Sequence, residues 1–198
     1  MTDKSTQKRK YIIEKAREVF SSKGYKNVTM KDIVDACEIS RGGLYLYFSS
    51  TSEIFLEVLA TEEDDDDDEA IERALRNDAT AGDMLAIFLK EQKKMILKKK
   101  NNLSIATFEY FTENKVAPNE NPIRTQFDTS VMIAERLIEN GIRNNEFYCE
   151  DPRGCARNLM YVIEGLKVAG STMGISEEIV DRELIYVLKG LVPDELNN

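Results

Sequence analysis

The sequence predicts an all-α protein of about nine helices, an N-terminal three-helix helix-turn-helix domain followed by a larger C-terminal helical bundle. Three observations carry this prediction. Apolar residues recur at helical spacing along nearly the whole chain, and no segment alternates convincingly with period two. The periodic stretches open on Ser, Thr or Asp, often with an acid three positions on, the pattern that satisfies free N–H groups at a helix start.

Taken in order, residues 6–23 place Ile12, Ile13, Ala16, Val19 and Phe20 on one stripe, and Gly24 follows where a left-handed stop is expected. Thr29 and Asp32 fit a capping box opening a short helix with Ile33, Val34 and Cys37 inward. A tight turn at Glu38 and Ile39 leads to Ser40, a second cap, and to a helix from Arg41 through Phe48. Ser50 and Glu53 form another capping box, starting a longer helix with Ile54, Phe55, Val58 and Leu59 on one face. Helix is expected to resume or persist to Arg76, where Glu69 with Arg73 and Glu72 with Arg76 are favourable i,i+4 pairs. Between them, residues 62–69 are all acidic, a solvated face or a weak site for divalent cations.

Beyond that run, Thr80 and Asp83 cap a helix carrying Met84, Leu85, Phe88, Leu89, Met95 and Ile96. A shorter helix covers 103–114, and Pro122 sits near the start of the next, which runs to Gly141. Asp151 before Pro152 is an N-cap with proline at the first helical position, opening a helix to Thr172. Ser176, Glu177 and Glu178 open the last helix, which ends near Pro193.

Composition bounds the chemistry. With 198 residues, 42% hydrophobic and 32% charged, a buried core is expected and global disorder is not. There is no histidine, which removes Ser-His-Asp and Cys-His catalysis and any metal site that needs an imidazole. Three scattered cysteines, Cys37, Cys149 and Cys155, suit reduced thiols in a cytoplasmic protein, and no apolar run is long enough for a membrane span. The net charge of −9 is unevenly distributed. Residues 1–48 hold ten Lys/Arg against six Asp/Glu, a balance of +4, and residues 49–198 hold seventeen against thirty, a balance of −13. A basic head on an acidic body is the charge pattern of a nucleic-acid reader whose body faces away from phosphate.

Residues 29–48 read as helix, short turn, helix, the geometry in which the second helix enters the major groove. Leu44 and Phe48 pack inward at i,i+4, leaving Arg41 and Tyr45 on an outward stripe with Gly42 beside them. Arginine can bond guanine O6 and N7 together, and tyrosine can touch a thymine methyl or a phosphate. Gly42 and Gly43 each cost up to about 1 kcal/mol against alanine inside a helix, a cost that close approach of backbone to DNA would justify. The other reading makes Arg41, Gly42 and Gly43 a loop before a shorter helix.

Gly24 and Tyr25, then Val28 through Ile33, then Ile39 through Phe48, closely resemble the DNA-binding domain of TetR/AcrR-type transcriptional regulators. A weaker match follows at Gly141, Glu146 and Phe147, with Asn145 where the family often has a second glycine, a residue that also tolerates the left-handed conformation. The resemblance implies a homodimer that binds a palindromic double-stranded DNA operator, most often as a repressor, and is released by a small-molecule effector held in the C-terminal domain. It implies a DNA-binding domain over residues 1–48 and an effector-binding and dimerisation domain over 49–198, with no cofactor, no catalytic residue and no membrane partner. Residue by residue, Thr29 and Ser40 resemble phosphate-contacting caps, Arg41 and Gly42 base-reading positions, and Tyr45 and Tyr47 base or phosphate contacts. Lys31, Gly43 and Thr51 complete the expected DNA-binding set. Family lysines are replaced here by the hydroxyls of residues 49–52, so a shallow salt dependence is expected. Lys4, Lys8, Arg9 and Lys10 either supply the missing charge as an arm or form a solvated terminus.

For the effector, Phe88, Gln92, Phe108, Phe111, Phe127 and Tyr161 are candidate pocket residues; the aromatic ones also read as ordinary core, and Gln92 as an exposed residue. Apolar residues on more than one face of the last two helices predict a four-helix dimer interface through Leu159, Ile163, Leu166, Leu184, Val187 and Leu188. Two alternatives stay open. One is a regulator triggered by a protein partner or by a thiol change at Cys37, and the other a carboxylate- or metal-dependent enzyme built on the acidic run.

Overall fold

The computed structural model describes residues 3–61, 79–117 and 119–191, and every described element is helical. Nine α-helices stand among the described residues: α1 (Asp3–Lys23), α2 (Met30–Cys37), α3 (Arg41–Tyr45), α4 (Thr51–Thr61), α5 (Ala81–Leu97), α6 (Ser104–Glu113), α7 (Pro122–Arg143), α8 (Pro152–Thr172) and α9 (Glu177–Leu188). A 3-10 turn, Lys189–Leu191, follows α9. The acidic run at 62–69 and the stretch to Arg76 lie outside the described residues, as does Pro193.

The helix starts are set locally. At α2 the Thr29 hydroxyl oxygen accepts from the Asp32 N–H, and the Asp32 carboxylate accepts from the Thr29 N–H at 2.8 Å, a complete capping box. Thr80 and Asp83 repeat it at α5. At α4 the box is displaced. Ser50 Oγ accepts from the Glu53 N–H at 3.1 Å, but the Glu53 carboxylate returns to the N–H and hydroxyl of Ser49 rather than to Ser50. Asn121 and Asp151 cap α7 and α8, each followed by proline, whose missing N–H costs nothing in the first turn. Gly24 has φ +75° and ends α1, and Asn145 at φ 59° takes the left-handed position after α7.

Helix α3 is shorter than the residue pattern predicts, ending at Tyr45 rather than Phe48. The chain tightens there, with Tyr47 N–H and Phe48 N–H both donating to the Leu44 carbonyl. This turn drives Phe48, 1% exposed, into the core.

The chain forms two compact units, the first of α1–α4 with α6, the second of α5 with α7–α9. The sequence pattern places the end of the head at residue 48, whereas the compact unit runs through α4 and includes the segment 99–115. Three helices supply Phe20, Ile33 and Leu44 but not enough apolar surface to enclose them. Ile54, Phe55 and Val58 of α4 close one side of that core, and Leu103, Ala106 and Tyr110 at α6 join it. Tyr110 meets Tyr25 edge-on at 4.8 Å and Phe55 at 5.2 Å, and its hydroxyl lies 3.0 Å from Ser52 Oγ.

In the second unit α7 packs chiefly against α8 and α5, and α9 against α8. Leu85, Ile138, Leu159, Met160, Ile163 and Val180 form its centre. The Glu146 carboxylate accepts from the N–H groups of Ala81 and Gly82, satisfying free donors at the start of α5. Those two bonds hold its carboxyl below the usual glutamate range.

Candidate nucleic-acid interface

The candidate surface on α2 and α3 is supported from the buried side of these helices. Ile33 and Cys37 on α2 and Leu44 on α3 are all at most 2% exposed, so these short helices are held by the head core rather than by their own length. Glu38 closes α2 in the left-handed conformation, φ 51°, with its N–H on the Asp35 and Val34 carbonyls. Ser40 then caps α3, its Oγ accepting from the Gly43 N–H at 3.0 Å.

The predicted outward stripe is formed. Arg41, Gly42 and Tyr45 are exposed, and the Arg41 guanidinium lies 5.7 Å from the centre of the Tyr45 ring. The two glycines separate in role. A Cβ at Gly43 would stand 3.1 Å from Ser40 Oγ, so the cap itself explains this glycine. A Cβ at Gly42 would meet nothing within 4 Å, and nothing inside the protein calls for a glycine there.

Thr29 and Ser40 are exposed residues at the starts of α2 and α3. Lys31 projects from α2 with its side chain 86% exposed, 3.8 Å from Asp35. Tyr47 and Thr51 are half-buried, Tyr47 packing against the head core. Asp32 is held well below the usual carboxylate range, first by Lys23 at 2.5 Å and then by the Thr29 hydroxyl and N–H.

The basic terminal segment is helix, not an arm, since α1 begins at Asp3. Arg9 is committed internally. Its guanidinium pairs with Glu57 on α4, donates to the Tyr47 carbonyl and lies over the Phe48 ring. Lys8 rests over the Tyr11 ring at 4.9 Å. Sequence reasoning missed this Arg9 role although a signal exists: Arg9 stands three and four residues before Ile12 and Ile13, at the edge of the buried stripe. It also missed Leu46, 84% exposed directly after α3.

The effector candidates divide between the units. Phe108, 67% exposed, and Phe111, packed on the head core, belong to the first. Phe88, Gln92, Phe127 and Tyr161 belong to the second, where Phe127 and Tyr161 rings lie 4.9 Å apart. The six residues are therefore not gathered within either unit.

Four of the six dimer candidates are covered within the single chain. Leu159, Ile163, Leu166 and Leu184 are at most 8% exposed in the single chain, and Val187 and Leu188 pack partly against the same core. They turn inward because α8 and α9 must cover α5 and α7. The outward apolar residues of these helices are Tyr161, Val168, Ile179, Ile185 and Tyr186, with Gly165 open between Tyr161 and Val168.

Cys37 is 2% exposed and burial pushes its thiol above the ordinary value, which makes it a poor redox trigger. Among the described residues no three His, Cys, Asp or Glu side chains come together as a metal site, and no helix is long and apolar enough to cross a membrane.

The chain is similar to known proteins over both its N-terminal and its C-terminal parts. Residues 12–58 match the family described as bacterial regulatory proteins, tetR family, and residues 84–181 match the tetracyclin repressor-like C-terminal domain. The HTH-type transcriptional regulator YfiR of Bacillus subtilis (strain 168), itself uncharacterised, is 31% identical over 142 residues, 71% of this chain and 68% of its own. Among solved structures, a transcriptional regulator from Saccharomonospora viridis in complex with choline aligns with a TM-score of 0.76 at 21% identity, over 94% of this chain and 98% of that one. NalD, the secondary repressor of the MexAB-OprM multidrug efflux pump in Pseudomonas aeruginosa, aligns at 0.62 and 19% identity, over 96% and 99%.

Proposed function

The chain belongs to the tetR family of bacterial regulatory proteins, non-enzymatic DNA-binding regulators of transcription, and from that premise we propose that it is a ligand-responsive repressor. In this reading it binds a palindromic operator in the cytoplasm as a homodimer and leaves it when a small-molecule effector binds. The observation that carries the DNA contact is the Arg41, Gly42 and Tyr45 face, exposed on a capped helix whose opposite side is core. Gly42 supports it further, because its open Cβ position leaves room for a base-pair edge.

The homodimer rests on the outward apolar residues of α8 and α9. Tyr186 at 70% exposed, Ile185 at 59% and Tyr161 at 63% are costly to leave in water and suit a self-complementary interface. Two reading heads on one dimer would match two operator half-sites, each contributing its own phosphate and base contacts.

Release follows from linkage. An effector that favours one spacing of the two heads over another shifts the population away from the DNA-binding form. Helix α4 is the element suited to transmit this, since Ile54, Phe55 and Val58 are wholly buried in the head core and a shift of α4 moves that core with it. The reading of the effector is supported by the second unit, whose buried described residues are all apolar, with Phe88, Phe127 and Tyr161 at its margin. An amphipathic or cationic small molecule, of the kind choline represents in the Saccharomonospora viridis structure, suits aromatic faces of this type.

The test is selection of genomic fragments by the purified protein, with affinity measured for wild type and Arg41→Ala. Enrichment of a palindrome bound by a dimer and weakened by the Arg41 change is the expected result. Weak binding without sequence preference, unchanged by cell extract, would remove the repressor reading.

A further inference from the structure

We propose that Leu46 reads the C5 methyl of a thymine in each operator half-site, seated beside the open backbone at Gly42; this rests on α3 being the reading helix. Leu46 is 84% exposed, the most exposed large apolar side chain among the described residues. Solitary exposed leucines are ordinary on protein surfaces, but this one lies in a contact surface of defined chemistry.

The backbone keeps helical form through it. Leu46 has φ −69° and ψ −21°, and its N–H donates to the Gly42 carbonyl at 3.2 Å. Gly42 and Leu46 therefore stand one turn apart on the same face, alongside the Arg41 and Tyr45 pair. A Cβ at Gly42 would meet nothing within 4 Å, so the leucine does not fold back over the glycine. The result is an apolar knob next to a gap in the helix wall, continuous with the DNA-reading stripe.

The chemistry of the groove narrows what such a knob can meet. Base edges in the major groove offer hydrogen-bond donors and acceptors, with one apolar group among the four base pairs, the thymine methyl. Leucine has no donor or acceptor, and placing it over guanine, cytosine or the polar edge of adenine would strip water from those groups without replacing it. Over a thymine methyl both partners lose water favourably.

Uracil differs from thymine only by that methyl, which gives a direct test. An operator obtained by selection is scanned with single thymine-to-uracil replacements against wild type and Leu46→Ala. One position per half-site should weaken wild-type binding by about fourfold, the weight of one buried methyl. Leu46→Ala should bind the unmodified operator more weakly and be indifferent to uracil at that same position. Because the side chain is exposed, the variant should melt as wild type does.

Three results would overturn the proposal. The first is a wild type with no uracil-sensitive position. The second is a Leu46→Ala variant that keeps the full sensitivity, which places the methyl contact on another residue. The third is a Leu46→Ala variant that loses the same affinity on every template, which assigns the leucine to sugar or phosphate. Loss of binding by Arg41→Ala reports separately on whether α3 is the reading helix.

Discussion

Arg9 on α1 and Glu57 on α4, 48 residues apart, are joined by a two-pronged ion pair, with Arg9 Nε donating to Oε1 at 2.7 Å and Nη2 to Oε2. The third nitrogen donates to the Tyr47 carbonyl at 2.9 Å, and the guanidinium lies 4.3 Å from the Phe48 ring centre. One side chain thus ties the first helix, the turn after the reading helix and the helix that follows. The arrangement uses the planar fork of arginine, which lysine cannot reproduce.

Arg9→Ala is expected to lower the unfolding free energy by about 1–2 kcal/mol, discounted for side chains a third exposed. Arg9→Lys should recover little of it. Urea denaturation checks both. Because Arg9 serves the fold, the slope of log affinity against log salt should not change; a fall of about 1 in that slope would place Arg9 on a phosphate.

Gly42→Ala should separate stability from function. The added methyl meets nothing in the protein, so the helix gains about 0.5 kcal/mol from reduced backbone freedom in the unfolded chain. Operator affinity should fall at the same time, because the methyl occupies space reserved for DNA. A variant that is more stable and binds as well as wild type would show that the gap is unused.

The Lys23, Asp32 and Thr29 cluster carries a pH dependence with a defined sign. The Asp32 carboxyl is held below its ordinary value of 3.8, so its contribution is complete above about pH 4 and is lost as pH falls through the lower folded value. Asp32→Asn should be less stable than wild type at pH 7, and the two should converge in acid. Chemical denaturation at pH 7 and pH 3 measures the difference; a constant gap would mean the carboxylate charge is irrelevant there.

Gly141→Ala should be destabilising by about 1–3 kcal/mol, since its Cβ would overlap the Phe147 ring. Shortening the ring in a Gly141→Ala, Phe147→Leu double variant should recover part of the loss. If the single variant melts like wild type, the ring is free to move aside.

Charge placed on the outward face of α9 tests assembly. Ile185→Glu with Tyr186→Lys should leave the protomer folded, as both side chains are exposed, and convert the dimer to monomer in sedimentation. Operator affinity should fall by more than tenfold as the second half-site is lost. A dimer that survives both changes would move the interface to another face.

The sequence by itself determined where helices begin and which face of α3 is outward. The Thr29 and Asp32 box, the Thr80 and Asp83 box, the Asp151 cap and the Gly24 stop all form as read, because each is a contact within a few residues. Leu44 buries as its spacing requires, Phe48 buries through the tight turn that follows α3, and Arg41 and Tyr45 are left exposed. Tertiary structure alone decided partners distant in the chain. Nothing in the spacing of Leu103, Ala106 and Tyr110 distinguishes a helix that joins the head from one that joins the larger bundle, yet they pack around Phe55. The apolar faces of α8 and α9 look alike in sequence, and only packing against α5 and α7 turned Leu159 and Ile163 inward and left Tyr161 and Tyr186 outside. Apolar burial is non-directional, so a periodic stripe specifies that a face must be covered but not which surface covers it. Arg9 shows the same limit for charge, since its place beside Glu57 depends on two helices being brought together by the core beneath them.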